Sequence, residues 1–138
     1  MFQELALQIA QKAHAGQVDK AGKDYILHPM TVASYMDTDI EKTIAYLHDV
    51  LEDTDVTVDA LRKIFPNEIV DTLITLTHRK DESYFEYIQR VSTSKLAKKV
   101  KVADLLHNLD ITRIKEPTKQ DYERLEKYKK AILYLTTH

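Results

Sequence analysis

His48, Asp49, Glu52 and Asp53 stand together in the string LHDVLED. On a helix, His48 and Glu52 share a face at i and i+4, and Asp49 and Asp53 repeat that spacing one residue on. The four span about 140° of the helix at ~100° per residue. Three of them are acidic, and like charges at such spacing repel. The same helix must also bury Leu47, Val50 and Leu51. A bound cation removes the repulsion, and imidazole with carboxylate is a suitable ligand set for one.

A second segment, VKVADLLHNL, repeats this logic. Lys101, Asp104 and Asn108 fall at i, i+3 and i+7, so a cation, an anion and an amide share one face between flanks of Val, Leu and Ala. A third, YILHP, sets His28 beside Pro29 among apolar residues. Each has an ordinary reading. A lone histidine beside proline is commonly a loop or cap residue, a helical His-Asp pair usually lies on the surface, and a helical Asp is usually solvated. The crowding of acids around His48 argues against that reading for the first segment.

Taken together, His28, then His48-Asp49, then Asp104 form the H…HD…D pattern of HD-domain phosphohydrolases. More narrowly, AHAGQVDKAGKDYILHPMTVA, LHDVLEDTDVT and VKVADLLHNL resemble the hydrolase domain of the RelA/SpoT family. The segments come in family order from about Ala13 to Asn108. That family includes stand-alone small alarmone hydrolases such as the metazoan SpoT homologue. They remove the 3′-diphosphate of guanosine tetra- and pentaphosphate, (p)ppGpp, using manganese.

The resemblance implies that His28, His48, Asp49 and Asp104 bind one divalent metal. Two imidazoles and two carboxylates without sulfur suit Mn²⁺, and zinc is compatible with the same ligand types. Glu52 and Asp53 match the family's catalytic acidic pair. A divalent ion acidifies water, and a nearby carboxylate can take the proton and aim the oxygen at phosphorus. For Asp53 the alternative is a helix-end residue before Thr54. Lys101 and Asn108 then meet substrate phosphate or ribose. Lys20 matches a family lysine near the nucleotide, and reads equally well as a solvated loop lysine. His14 and His107 read as structural, His107 by packing or by a hydrogen bond to the site. Lys95, Lys98 and Lys99 read as a solvated face.

Two positions depart from the family. Asp19 stands where an arginine flanks the guanine base, and Asp110 replaces another arginine two residues after Asn108. A carboxylate neither stacks on a purine nor clamps a phosphate. The reaction type is therefore better supported than the base. Three functions compete: a (p)ppGpp 3′-diphosphatase, an HD phosphohydrolase for another nucleotide such as ppApp, and a non-enzymatic nucleotide-binding module. The complete HDxxED string argues against the third, because a binding module has no need of a water-activating pair.

These residues need helices to position them, and the rest of the sequence supplies helices. Gly (2) and Pro (3) are scarce among 138 residues. Apolar residues make up 43% and charged residues 30%, as in a globular domain. The length suits a single domain, 1–138. A net charge of −2 gives no polycation for nucleic acid. The absence of cysteine removes disulfides and thiolate ligands and fits a cytoplasmic setting. There is no signal-peptide pattern and no apolar run of ~20 residues that would span a membrane. Periodicity predicts an all-α bundle of seven or eight helices. They cover 2–13, a stretch from just after His28 to about Met36, 39–53 behind a Thr38/Glu41 capping box, 58–65, 69–76, 84–91, 95–114 behind Ser94, and a last helix ending near Leu135. Residues 17–26 are read as a loop with room for a short β-hairpin. The expected partner is a small nucleotide substrate.

Overall fold

Thr38 and Glu41 open the helix on which the fold is centred. In the computed structural model, which describes residues 1–138, the Thr38 hydroxyl accepts from the Glu41 N–H, and the Glu41 carboxylate accepts from the Thr38 N–H. The chain forms α1 (Phe2–Ala13), α2 (Leu27–Ser34), α3 (Asp39–Leu47), α4 (Val50–Asp53) and α5 (Val58–Arg62). It continues through α6 (Asn67–Thr75), α7 (Tyr84–Val91), α8 (Lys95–Asn108) and α9 (Lys119–Thr137). Helix α3 packs against α1, α2, α6 and α8, and its Ile44, Ala45 and Leu47 are completely buried. Asp39, at its start, also caps α1, accepting from the Phe2 and Gln3 N–H groups at 3.0 and 3.2 Å. Thr57 and the expected cap Ser94 each accept from the N–H three residues on. The all-α architecture is as expected, and no helix is long and apolar enough to cross a membrane.

Three boundaries differ from the sequence reading, each for a local reason. Helix α2 includes His28 and Pro29 instead of beginning after them. Proline sits in the first turn, where N–H groups have no intrahelical partner to lose, so the bias against helix at His28 is overridden. The predicted single helix over 39–53 is two. The His48 ring Nδ1 donates to the Ala45 carbonyl at 2.6 Å, the acceptor that the Asp49 N–H needs to continue the helix. The chain turns at His48-Asp49 and resumes as α4, so the helix count is nine. Helix α8 stops at Asn108, short of Ile114. Asp110 accepts from the Thr112 N–H at 3.1 Å and starts a single 3₁₀ turn, Ile111–Arg113.

The 17–26 stretch is a tight loop with one isolated antiparallel bridge, Val18 to Asp24, and no hairpin strands. Asp19 shapes it from inside, accepting from the Ala21 and Lys23 N–H groups at 2.8 and 3.0 Å. Gly22, at φ +81°, makes the reversal between them.

Because α3 packs against four other helices and ends at His48, its packing should dominate stability. Ile44→Ala should destabilise the protein by about 2–5 kcal/mol, the usual range for a fully buried aliphatic side chain. Urea unfolding checks this. A loss under about 1 kcal/mol would mean that α3 is not the central packing element.

Candidate metal centre

Asp104, on α8, is buried, with 4% of its surface exposed. A carboxylate there needs compensation. Lys101, one turn earlier, donates to Oδ2 at 2.9 Å, and the Asn108 amide, one turn later, donates to Oδ1 at 3.2 Å. The face predicted from their spacing therefore exists, and all three residues meet on one carboxylate. Burial opposes charge on both Lys101 and Asp104. Their mutual attraction outweighs it, holding Asp104 well below the usual carboxylate range and Lys101 well above the usual ammonium range.

His28 from α2 and His48 from the α3–α4 turn converge on the same carboxylate. His28 Nε2 is 2.7 Å from Asp104 Oδ1 and His48 Nε2 is 3.4 Å from it. The ligand-type atoms of His28, His48 and Asp104 all lie within 4.8 Å of one another. Asp49 sits at the rim. Its Oδ2 is 3.0 Å from His48 Nε2 and accepts a hydrogen bond from the Tyr25 hydroxyl. Burial works against the Asp49 charge, but the adjacent His48 ring brings its pKa down to about 2. The His14 ring, 4.9 Å from that of Tyr25, packs behind it.

Hydrogen-bond logic fixes which way the two rings present themselves. His48 Nδ1 faces a backbone carbonyl, which only accepts, so Nδ1 carries a proton and Nε2 is the nitrogen left to a metal. That buried Nε2 has no hydrogen-bond donor opposite it. His28 Nδ1 lies 2.7 Å from His107 Nδ1. Arg113 Nη1, which only donates, is 3.3 Å from that same His107 nitrogen. His107 Nδ1 is therefore the acceptor and His28 Nδ1 the donor, and once a metal displaces the proton that His28 Nε2 shares with Asp104 Oδ1 at 2.7 Å, Nε2 presents its lone pair. Two Nε2 atoms thus face two carboxylates. Their negative field raises the His48 pKa well above its ordinary value, and the set holds protons that a divalent cation can displace. Its chemistry fits a divalent metal held by two nitrogens and carboxylate oxygens.

Two cavities flank the cluster. The larger, about 300 Å³, borders His28 and Asn108 and is walled by Tyr25, Ile111, Leu125 and Tyr128. It holds three acids, Asp19, Asp110 and Asp121, and three cations, Lys20, Arg113 and Arg124. These largely pair among themselves: Lys20 with Asp121 at 2.7 Å, Arg113 with Asp19 at 3.2 Å, and Arg124 with Asp121 at 3.6 Å. The smaller, about 150 Å³, borders His48, Asp49, Glu52, Lys101, Asn108 and three tyrosines. Glu52 accepts from the His78 N–H at 2.9 Å. The loop carrying His78 is held by Arg90, which donates to the Thr75 and Thr77 carbonyls and pairs with Glu82.

Of the expected substrate residues, Lys20 lies on the larger cavity, Lys101 on the smaller and Asn108 on both. Asp53 lines neither. Burial and the charges of Asp49 and Glu52 raise its pKa. Asp19 and Asp110 both border the larger cavity, but each is engaged by its own loop. The sequence reading missed Tyr25, His78, Arg113, Arg124 and Tyr128. Only Tyr25 lay inside a motif, and the others reach the site through tertiary packing.

Fold and site define an all-helical protein with a buried His/Asp cluster suited to a divalent metal. The chain belongs to the HD domain family, whose model matches residues 6–125. It is similar to the guanosine-3′,5′-bis(diphosphate) 3′-pyrophosphohydrolase of Borreliella burgdorferi, 34% identical over 132 residues, covering 84% of this chain and 20% of that protein. It is also similar to a probable GTP pyrophosphokinase of Mycobacterium leprae, 31% identical over 128 residues, covering 83% of this chain and 16% of that protein. The chain thus spans a fifth or less of the length of these relatives. A solved structure described as "A metazoan ortholog of SpoT hydrolyzes ppGpp and plays a role in starvation responses" shares the fold. It has a TM-score of 0.82 and 24% identity, covering 97% of this chain and 84% of that one.

The lone-pair arrangement makes a prediction. Asp104→Asn keeps the shape and a partner for Lys101 while removing the central charge. Calorimetric titration should show Mn²⁺ affinity falling at least about tenfold, the lower end of what outer-shell changes already cause. Glu52→Gln, outside the cluster, should titrate like wild type. Equal affinity for Asp104→Asn and wild type would contradict this account of the site.

Proposed function

We propose that this domain hydrolyses the 3′-diphosphate of (p)ppGpp with manganese bound by His28, His48, Asp49 and Asp104, releasing pyrophosphate. The observation that carries the reading is the position of the His/Asp cluster between two cavities of different character. The larger, part-apolar and charge-balanced, suits a nucleoside. The smaller, with Glu52 and Lys101 on its wall, suits the diphosphate and the attacking water. The Borreliella relative is named as a 3′-pyrophosphohydrolase, which supports this reading.

When bound, the divalent ion supplies Lewis acidity, acidifying water and neutralising phosphate charge. Glu52, held by the His78 N–H, takes a proton from the attacking water. Asp53, the second acid of the pair, stands outside both cavities, where the charges of Asp49 and Glu52 raise its pKa. Water oxygen bonds to the phosphorus next to the ribose, the bond from that phosphorus to O3′ breaks, and the proton ends on O3′. Lys101, kept cationic by Asp104, faces the phosphates. Asn108, between the two cavities, is placed to meet the ribose or its phosphate, and Lys20 the nucleotide.

A second reading, an adenine alarmone such as ppApp, follows from the loss of the family arginines at positions 19 and 110. In the experiment that separates them, purified protein and Mn²⁺ meet ppGpp, pppGpp, ppApp and ordinary nucleotides, and the products are separated by anion exchange. The expected result is pyrophosphate with GDP from ppGpp and with GTP from pppGpp, lost on chelation. Faster turnover of ppApp would move the assignment to the adenine alarmone. No pyrophosphate from any 3′-diphosphate would overturn the proposal. Glu52→Gln should lower kcat by about 10²–10⁴-fold, the usual weight of a general base.

A further inference from the structure

His107 and Arg113 touch none of the converging carboxylates, yet they decide how His28 faces them. The His28 and His107 rings lie nearly coplanar, 12° apart, edge to edge through Nδ1 atoms 2.7 Å apart. Two imidazole nitrogens at that distance need one proton between them, and either ring could own it. Arg113 removes the ambiguity. Its Nη1 donates to the His107 carbonyl at 3.1 Å and reaches His107 Nδ1 at 3.3 Å. A guanidinium has no acceptor, so the His107 nitrogen must keep its lone pair. Asp19, across the loop from α2, fixes Arg113 from the other side at 3.2 Å. The chain Asp19, Arg113, His107, His28 thus runs inward from the edge of the larger cavity to the metal cluster.

We infer that His107 and Arg113 are positioning residues that hold His28 as the Nδ1–H tautomer and direct its Nε2 lone pair at the metal, with Asp19 locking Arg113 in place. This gives Asp19 an attractive structural role in the position where a carboxylate would otherwise only repel substrate. A metal-ligating histidine commonly donates its other nitrogen to an outer acceptor, and loss of that acceptor weakens metal binding. Here the acceptor is itself a histidine, and its own tautomer is set by an arginine. The inference rests on the proposed role of His28 as a ligand, not on the identity of the substrate.

The test is Mn²⁺ binding by calorimetry, with no nucleotide present, on wild type, His107→Phe, His107→Asn and Arg113→Gln. Thermal melts in chelator confirm that each variant is folded. His107→Phe removes the acceptor and should weaken Mn²⁺ binding about 10–100-fold. His107→Asn returns an amide oxygen and should recover part of the loss. Arg113→Gln should weaken binding less than His107→Phe. On the Zn²⁺-loaded wild type, long-range ¹H–¹⁵N spectra should show His28 protonated at Nδ1. Folded His107→Phe that binds Mn²⁺ as tightly as wild type, or His28 protonated at Nε2, would overturn the inference alone. Wild type that binds no Mn²⁺ would overturn the metal reading with it. Wild type that binds Mn²⁺ but cleaves no alarmone would leave the positioning role standing while refuting the substrate.

Discussion

Asp104 is a carboxylate buried where four other polar groups from three parts of the chain meet it. Lys101 and Asn108 reach it along α8, His28 from α2 and His48 from the end of α3. An isolated charge at that depth would be expelled or neutralised. Instead it gathers a lysine, an amide and two imidazoles, and the surrounding helices are placed so that these can arrive. The packing of α2 and α3 against each other and against α8 is therefore also the assembly of the site.

The turn at His48-Asp49 shows how local structure serves that assembly. A continuous helix would spend the Ala45 carbonyl on the Asp49 N–H. The His48 ring takes it instead, which ends α3 and leaves Nε2 as the nitrogen facing the cluster. One hydrogen bond thus shapes the backbone and sets the tautomer. His28 reaches the same end by another route, through His107 and Arg113. Both rings have Nδ1 engaged away from the cluster, which leaves Nε2 facing the carboxylates.

Much of this was legible in the sequence because helical periodicity carries face information. Lys101, Asp104 and Asn108 were placed on one face from spacing alone, and they share a carboxylate. The Thr38/Glu41 capping box and the loop at 17–26 followed from short-range chemistry. The break after Leu47 was not legible, because it depends on a side chain competing with the backbone, which periodicity does not register. The i, i+4 argument for His48 with Glu52 therefore assumed a helix that is interrupted. The residues still gather, through the turn and through the His78 loop. Arg113, Arg124 and Tyr128 were out of reach, because only the docking of α9 and the 3₁₀ turn brings them to the cavity. Asp19 and Asp110 read only as lost arginines until their loop partners were visible.

The central claim is that the buried imidazole and carboxylate groups are arranged as ligands for one divalent metal. Diffraction from crystals grown with Mn²⁺, recorded at the manganese absorption edge, tests it most directly. The account predicts a single anomalous peak bonded to His28 Nε2, His48 Nε2 and Asp104, with Asp49 turning in from the rim to join them. A peak elsewhere on the molecule, or an ion bound through His28 Nδ1, would contradict it.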